Sequence, residues 1–335
     1  MGGYGSDYDY STDDSVVKRS AKSYNIAKGR DYTESKAAVP PPKDKVLITE
    51  AKFPIVVSVD VTGSMKTWPG IIFEKLCILY SETLFFLPEE LKENFEISFA
   101  ACGDAYSDSA PIQITDFAAG QELDANINSL YPEGGGGGQT RETYELIAYY
   151  YARKCEMPKI SIKPLIIFVG DEGFYTKINR SHIMDLIGDK PKTDLIAKNI
   201  FKELKKKFSV YMLRIQYSSD EAEERIDKQW RDTLGDSNVI IMEDPRRIVD
   251  TILGIVATAV DGFDKFKERI EIRQTPEQVK QVYSSLNGIE SETKKKYVYE
   301  IKALECPRCG AKLNDKPDYD HDVKCESCGY LIVRI

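Results

Sequence analysis

Residues 53–65 read Phe-Pro-Ile-Val-Val-Ser-Val-Asp-Val-Thr-Gly-Ser-Met, an apolar run that ends in Asp60, Thr62 and Ser64. The mostly apolar run 53–59 predicts a strand buried on both faces, as in a parallel sheet covered by helices. The three oxygen-bearing side chains alternate directly after it, so one turn of loop can aim them at a single point. Carboxylate, hydroxyl and water oxygens are the ligands that Mg²⁺ and Mn²⁺ favour. The stretch therefore predicts a central strand with a cation site at its end.

Short β-rich runs alternate with longer helical patterns across residues 53–262. This alternation predicts strand–helix–strand units and an α/β fold with a doubly wound, mostly parallel six-stranded sheet. The predicted strands are 54–59, 95–101, 112–114, 165–169, 210–215 and 239–242. The predicted helices are 71–86, 123–130, 141–155, 194–206, 220–234 and 245–260.

Three loops are expected to meet at one edge of this sheet, because ligands of an open parallel sheet collect beyond the carboxyl ends of its strands. Asp60 follows the first strand, and Asp171 follows strand 165–169. Between them, residues 133–140 form a glycine loop that ends on Thr140 and opens a helix. Asp104 and Asp108 follow the second strand near the same edge, either as solvated turn residues or as groups that support the ligands or contact a partner.

These residues resemble the von Willebrand factor A domain with its metal-ion-dependent adhesion site. That family has Asp-x-Ser/Thr-x-Ser after the first strand, a Thr after a glycine-rich turn and an Asp after the fourth strand. The five matching positions here are Asp60, Thr62, Ser64, Thr140 and Asp171. The resemblance covers residues 50–262 and implies strand order 3-2-1-4-5-6 with Mg²⁺ (or Mn²⁺) at the top. It implies hydroxyls as direct ligands, aspartates acting through water, and a partner's Asp or Glu completing the octahedron.

The chain departs from the family pattern in the third loop. Gly170 stands where a hydroxyl-bearing residue often precedes the aspartate, and Glu172 adds a carboxylate beside Asp171. The glycine run is also longer than the usual pair. These departures leave the coordination and the choice of cation open, with Mg²⁺ as the first expectation.

The same residues argue against an enzyme. A phosphatase of the haloacid dehalogenase type needs a second Asp where Thr62 stands. A phosphate-binding P-loop needs a Gly and a Lys where Glu133 and Gln139 stand. His182 and His321 are the two histidines of the chain, which gives little material for general acid–base chemistry. Recognition is predicted instead of turnover.

The seven cysteines divide into two groups. Three lie in apolar contexts and are predicted to be small buried side chains: Cys77, Cys102 and Cys155. The other four form two Cys-x-x-Cys pairs, each followed by a glycine: Cys306, Cys309, Cys325 and Cys328. Their spacing matches a four-thiolate structural Zn²⁺ site, and the module resembles a zinc ribbon. Four thiolates leave no position for an activated water, so the Zn²⁺ is expected to be structural.

Four segments are predicted along the chain. They are a disordered tail at 1–45, a von Willebrand factor A-like domain at 46–262, a helical connector at 263–298 and a zinc ribbon at 299–335. The tail has few aliphatic residues and cannot bury enough surface to offset its ordering entropy. In the connector, residues 275–278 read Thr-Pro-Glu-Gln, a capping signal for a helix that ends near Gly288.

Composition limits the cellular setting. The chain has 335 residues, 42% of them hydrophobic, and a net charge of −8 from interspersed acidic and basic residues, which favours a soluble globular protein. No apolar run reaches the roughly 20 residues that cross a bilayer. The N-terminus lacks a signal-peptide core, and the cysteine pattern suits a reducing compartment. A cytoplasmic location without membrane attachment is therefore predicted.

The predicted function is a non-enzymatic, metal-dependent protein-binding scaffold, with the ribbon aiding docking. An A domain followed by a zinc ribbon resembles tellurium-resistance-type stress proteins, which implies kinases, phosphatases or AAA-type ATPases as partner classes. The alternative is a nucleic-acid-associated factor that uses the ribbon and the lysine run at 294–296. Residues 300–335 contain six basic and seven acidic side chains, so nucleic acid is the less favoured partner.

Overall fold

The computed structural model describes residues 39–132, 134, 140–216, 220–289, 305–306, 311–314, 323–327 and 331–332. The chain forms two compact units, which divide between Ile289 and Glu290. The larger unit contains the sheet, its helices and the loops predicted to bind a cation.

A six-stranded sheet forms the centre of the larger unit. Its strands are β1 (Phe53–Asp60), β2 (Phe95–Cys102), β3 (Ile112–Ile114), β4 (Leu165–Gly170), β5 (Ser209–Arg214) and β6 (Val239–Ile241). They lie in the order β3-β2-β1-β4-β5-β6. Every neighbouring pair is parallel except β2 and β3. All six strands were predicted to within two residues, and β1 lies at the point where strand order reverses. The same order occurs in other doubly wound sheets, so it does not identify a family by itself.

Both faces of the sheet are covered because its central strands are apolar at consecutive positions. All eight residues of β1 are buried. Ile55, Val57 and Val59 belong to one apolar core, whereas Val56 belongs to the other. This alternation follows from the twofold period of side chains along a strand.

Helices complete the two cores. One face carries α1 (Trp68–Leu76), α2 (Leu79–Phe86), α3 (Glu122–Ser129), α7 (Ile248–Ala259), α8 (Phe263–Arg273) and α9 (Pro276–Ser285). The other face carries α4 (Tyr144–Arg153), α5 (Ala197–Lys207) and α6 (Asp220–Leu234). A four-residue helix, Glu89–Lys92, precedes β2.

Four predicted helices differ from the observed ones. The one predicted at 245–260 begins as an α-helix at Ile248, after a 3₁₀ turn at Pro245–Arg247. The helix predicted at 71–86 is two helices, because the Glu74 carbonyl accepts the Cys77 thiol at 2.7 Å and Ile78 N–H bonds to Lys75 only three residues back. The helices predicted from 141 and from 194 begin later. Residues Arg141–Glu142 instead pair with Gly173–Phe174, and Leu195–Ile196 pair with Lys177–Ile178. Pairing of these short segments overrides their helical pattern, and the first pair shapes the candidate site.

The helices predicted as a connector pack on the core of the larger unit. Thr275 and Gln278 form the predicted capping box at the start of α9. Buried side chains of α8 and α9 join the same cluster as β1: Phe266, Ile270, Val279 and Val282. Residues 39–45 also contact this unit, since Asp44 N–H bonds to the Ile187 carbonyl at 2.9 Å. The rest of the predicted tail, residues 1–38, lies outside the described residues.

Two antiparallel contacts are described in the smaller unit. Glu305 pairs with Lys312, and Val323–Lys324 pair with Leu331–Ile332. Each contact encloses one Cys-x-x-Cys pair. In the part of the chain that the structure describes, no helix has the length and apolar character needed to span a bilayer.

Gly254 allows α9 to dock closely, because a Cβ at this position would overlap the Leu286 side chain, with Cδ2 at 2.9 Å. We expect Gly254→Ala to lower the free energy of unfolding by about 1–3 kcal/mol through overpacking. Gly70→Ala is the matched control: Gly70 is also helical, nothing lies within 4 Å of its added Cβ, and the change should be neutral or stabilising by up to about 1 kcal/mol. Urea unfolding of the full chain measures both. A G254A variant that is stabilised as much as G70A would contradict the close contact between Gly254 and Leu286 at the end of α9.

Candidate metal centre

Asp60 ends the central strand with its carboxylate fully buried. Its Oδ1 accepts two hydrogen bonds from Thr62, at 2.9 Å from the backbone N–H and at 2.6 Å from the hydroxyl. Its Oδ2 accepts one hydrogen bond, at 2.6 Å from the Tyr144 hydroxyl. Because a carboxylate oxygen has two lone-pair positions, Oδ1 is filled and Oδ2 keeps one position for a further donor. That arrangement suits a carboxylate that holds a water molecule bound to a cation.

A chain of short contacts joins Asp60 to Asp171 through two hydroxyls. The oxygens of Thr62 and Ser64 lie 3.1 Å apart, and Ser64 donates to Asp171 Oδ1 at 3.1 Å. Each hydroxyl has one proton. When both aspartates are ionised, both protons point to carboxylates, so the two hydroxyl oxygens face each other with lone pairs only. Such a pair is repulsive unless a cation, or a water molecule that donates to both oxygens, lies beside it.

The spacing of the two hydroxyl oxygens fits an octahedral Mg²⁺ site. Neighbouring ligands of an octahedral cation at about 2.1 Å stand about 3 Å from each other. The Thr62 and Ser64 oxygens are separated by 3.1 Å. Their donor set of hydroxyls and carboxylates is also the one that Mg²⁺ and Mn²⁺ favour.

Asp171 follows β4 and is 1% exposed. Its Oδ2 is buried and has no hydrogen-bond partner among the described residues. The loop around it is held by its backbone: Arg214 donates to the Asp171 carbonyl, and the Trp230 indole donates to the Glu172 carbonyl at 3.0 Å. A buried carboxylate oxygen without a donor costs free energy, so a bound cation nearby would stabilise it.

Thr140 lies beside the Asp171 loop but outside the hydrogen-bonded chain of the other four residues. Its carbonyl accepts from Gly173 N–H at 3.3 Å, next to the pairing of Arg141 with Gly173. Its hydroxyl accepts from Arg225 at 2.9 Å. A hydroxyl oxygen has two lone pairs, so this contact leaves one for a cation. Glycine-loop residues 133 and 135–139 lie outside the described part of the chain.

Burial and mutual repulsion raise the pKa values of the carboxyls around this site. The pKa of Asp60 rises to about 6, chiefly through burial, against the lowering effect of its hydrogen bonds to Thr62 and Tyr144. The pKa of Asp171 rises to about 9 through burial and then through the charges of Asp60 and Glu172. The pKa of Glu142 rises to about 12 for the same kinds of reason. A divalent cation would counter these shifts by favouring the charged forms.

Glu142 was not predicted from the sequence. It is 2% exposed, and its Oε2 is buried without a hydrogen-bond partner among the described residues. Its pKa is raised first by burial and then by the charges of Asp60, Glu172, Asp104 and Asp108, so it lies near the carboxylates of the three loops. Glu142 lies in the segment 141–155 that was predicted to be helical, and a charged residue in a helix is usually exposed to solvent. For this reason its burial was not expected.

Arg214 is a second residue that the sequence did not indicate. It lies at the end of β5 with its side chain fully buried. Its Nε donates to Asp227 Oδ1 at 3.0 Å, and a further nitrogen pairs with Glu223, so α6 is joined to the Asp171 loop. Its guanidinium is shared among α6 carboxylates and a backbone carbonyl, so it offsets only part of the negative charge at the site.

Asp104 and Asp108 mainly build the turn after β2. Asp104 accepts from Tyr106 N–H at 3.0 Å and from the Tyr175 hydroxyl at 3.1 Å. Asp108 accepts from Asp104 N–H at 2.7 Å. These contacts correspond to the turn-forming interpretation of the two residues.

Among the described residues, no group of three or more Asp, Glu, His or Cys side chains is arranged to hold a metal ion. The candidate site differs from such a group because two of its donors are threonine and serine hydroxyls. The described donors that come together are two carboxylates and two hydroxyls, with Thr140 on the adjoining segment.

Two of the four predicted zinc ligands are described. Cys306 and Cys325 are 2% and 1% exposed and share a small apolar cluster with Leu313 and Val323. Cys306 N–H bonds to the Ala311 carbonyl at 2.7 Å. Cys309 and Cys328 lie outside the described residues, as do His321 and the lysine run at 294–296.

Comparison with known proteins gives no family assignment. No family model matches the sequence, and no curated protein matches it. One similar solved structure is the pilus adhesin SpaC from Lactobacillus rhamnosus GG in its open conformation, with 12% identity and a TM-score of 0.47 over 70% of this chain and 33% of that chain. Another is proximal thread matrix protein 1 from the mussel byssus, with 10% identity and a TM-score of 0.40 over 64% and 48%. This chain thus spans less than half of the adhesin and less than half of the matrix protein. Similarity this low supports no conclusion about function.

Proposed function

We propose that this chain is a non-enzymatic, metal-dependent protein-binding scaffold. Asp60, Thr62, Ser64, Thr140 and Asp171 would hold Mg²⁺ or Mn²⁺, and a partner's Asp or Glu would complete the coordination. The observation that carries the proposal is the pair of hydroxyl oxygens of Thr62 and Ser64, 3.1 Å apart, which link two buried aspartates through contacts of Thr62 with Asp60 and of Ser64 with Asp171. Hydroxyl and water ligands leave much of the cation's charge unneutralised, which favours an incoming carboxylate.

The charge distribution at the rim supports a carboxylate as the incoming group. Arg225 lies on the exposed surface and bonds to Thr140, and Arg141 beside it is also exposed. These two guanidinium groups would attract an acidic side chain and counter the negative field of the carboxylates below. Kinases, phosphatases and AAA-type ATPases are the partner classes that we propose to test first. A cytoplasmic location is part of the same proposal.

The smaller unit is proposed to bind a structural Zn²⁺ through Cys306, Cys309, Cys325 and Cys328. The support is the spacing of the four cysteines and the antiparallel contact around each pair, Glu305 with Lys312 and Val323–Lys324 with Leu331–Ile332. Four thiolates would close the coordination shell, so this module would add docking surface and no chemistry. The nucleic-acid alternative has weaker support, because the module carries slightly more acidic than basic residues.

Mg²⁺ should stabilise the wild-type chain by about 2.7 kcal/mol at a concentration 100 times its Kd, because it binds only the folded state. Asp60→Ala and Asp171→Asn should abolish this gain. In chelator, D171N should be at least as stable as wild type, because an amide replaces a buried carboxylate next to Asp60 and Glu172. Urea unfolding with Mg²⁺ or with chelator measures each variant.

The matched control for these variants is Asp236→Asn, which removes a carboxylate that is 91% exposed. D236N should keep the full Mg²⁺ effect. Equal stabilisation of wild type, D60A and D171N by Mg²⁺ would place the cation elsewhere and contradict the proposed site.

Partner binding should require both the metal and Asp60. Affinity capture with the full chain as bait should recover a protein partner in Mg²⁺ but not in chelator, and D60A should recover it in neither. D236N should behave as wild type. Partner recovery that is indifferent to chelator and to D60A would refute metal-dependent adhesion. Salt-dependent retention of the chain on DNA or RNA would favour the nucleic-acid alternative.

The purified full chain should contain about one Zn²⁺ per molecule, and Cys306→Ser or Cys325→Ser should lose it, because each variant removes one of four thiolates. Cys77→Ser is the control, since Cys77 lies in the larger unit and is half-buried. Atomic absorption measures the metal content. Wild-type protein that contains no zinc, or a C306S variant that keeps it, would exclude the four-thiolate site.

A further inference from the structure

Tyr144 is a buried tyrosine whose hydroxyl reaches the candidate site from the first turn of α4. Its side chain is fully buried, and its hydroxyl donates to Asp60 Oδ2 at 2.6 Å. The ring is held by edge-on packing against Trp230 and Phe168, with centroids 5.3 and 6.1 Å away. A ring fixed on several sides has little freedom to rotate, so the position of its hydroxyl is fixed as well.

Gly170 provides the space that the Tyr144 hydroxyl occupies. A Cβ added at position 170 would overlap the Tyr144 hydroxyl oxygen and lie 2.9 Å from the Asp60 Cβ. The backbone of Gly170 is in the ordinary β4 strand, so glycine is needed there for space and not for a left-handed conformation. The hydroxyl of Tyr144 can therefore occupy its position only because residue 170 has no side chain.

Tyr144 also connects two of the loops that carry candidate ligands. It follows Thr140 by four residues, and the intervening Thr143 donates through both its N–H and its hydroxyl to the Gly103 carbonyl at the end of β2. The segment that carries Thr140 is thus joined to the end of β2 through Thr143 and to the end of β1 through Tyr144. These contacts, together with the pairing of Arg141 with Gly173, hold the Thr140 segment against the ends of these strands.

We infer that Tyr144 is a positioning residue of the metal site, and that Gly170 is the partner that makes room for it. The inference rests on the proposed function. The Tyr144 hydroxyl occupies one lone-pair position of Asp60 Oδ2 and fixes the plane of the carboxylate. The remaining position of Oδ2 would then be available to a water bound to the cation, and the Thr140 segment would be held near the same carboxylate.

The first test compares two tyrosines of the same helix. Tyr144→Phe removes the hydroxyl and keeps the ring, so the Kd for Mg²⁺ should rise 10–100-fold, as for other groups that orient a metal ligand. Tyr151→Phe is the matched control: Tyr151 is also fully buried, and its hydroxyl contacts Ser98 at 2.7 Å, away from the site. It should change stability in chelator but leave the Mg²⁺ Kd within about twofold of wild type. Calorimetric titration of the full chain with Mg²⁺ measures each Kd.

A second test uses the glycine. Gly170→Ala in the wild-type background should displace the Tyr144 hydroxyl and weaken Mg²⁺ binding, although Tyr144 is still present. In the Y144F background the overlap with the hydroxyl is gone, so the same alanine should weaken Mg²⁺ binding less. The two effects should therefore be non-additive, as expected for groups in direct contact. If Y144F does not fold, the Mg²⁺ Kd of G170A alone still tests the inference.

The outcomes separate this inference from the proposed function. No Mg²⁺ binding by wild type would overturn both. Tight binding by wild type together with an unchanged Kd in Y144F or in G170A would overturn the inference alone. An equal loss in Y144F and Y151F would also overturn it, because it would show a general effect of helix packing.

Discussion

The larger unit depends on a carboxylate that is buried at the end of its central strand. Asp60 is fully buried and accepts three hydrogen bonds from two residues that are 82 positions apart in the chain, one from Tyr144 and two from Thr62. Burying such a group without donors would cost several kcal/mol. The turn after β1 and the first turn of α4 supply these donors. The glycine at the end of β4 leaves room for the donor from α4.

The fold was predictable from the sequence because its central strands are apolar at consecutive positions and are bounded by turn residues. Phe53–Asp60 and Leu165–Gly170 could not be solvated helices. Helix starts were harder to predict, since Arg141–Glu142 and Leu195–Ile196 each continue a helical pattern but pair with a distant segment. Local periodicity contains no information about such partners, so the short strand after Thr140 was missed, and with it the burial of Glu142.

The candidate site was predictable only in part, for a similar reason. Asp60, Thr62 and Ser64 are neighbours in sequence, and Asp171 follows a recognisable strand, so their convergence follows from the topology. Tyr144 begins a helix whose pattern indicates ordinary core, and Gly170 ends an apolar strand. In the structure, the hydroxyl from α4 occupies the space that a side chain at position 170 would fill. The sequence alone does not reveal this contact, since the two positions are 26 residues apart.

The arrangement also explains why a site with this much negative charge is compatible with folding. Arg214 is fully buried, but it pairs with Glu223 and Asp227 and reaches the Asp171 backbone, not its carboxylate. The hydrogen bonds of Asp60 offset part of the free-energy cost of its burial, whereas Asp171 Oδ2 and Glu142 Oε2 have no donor among the described residues.

Protonation of Asp171 and Glu142 lowers the free-energy cost of burying them in the absence of a metal, as their raised pKa values indicate. Binding of a divalent cation would lower it in another way, because the cation favours the ionised forms and gives the hydroxyl lone pairs of Thr62 and Ser64 a common partner. The surplus of acid that would destabilise an ordinary core is thus what would give this rim its affinity for a cation.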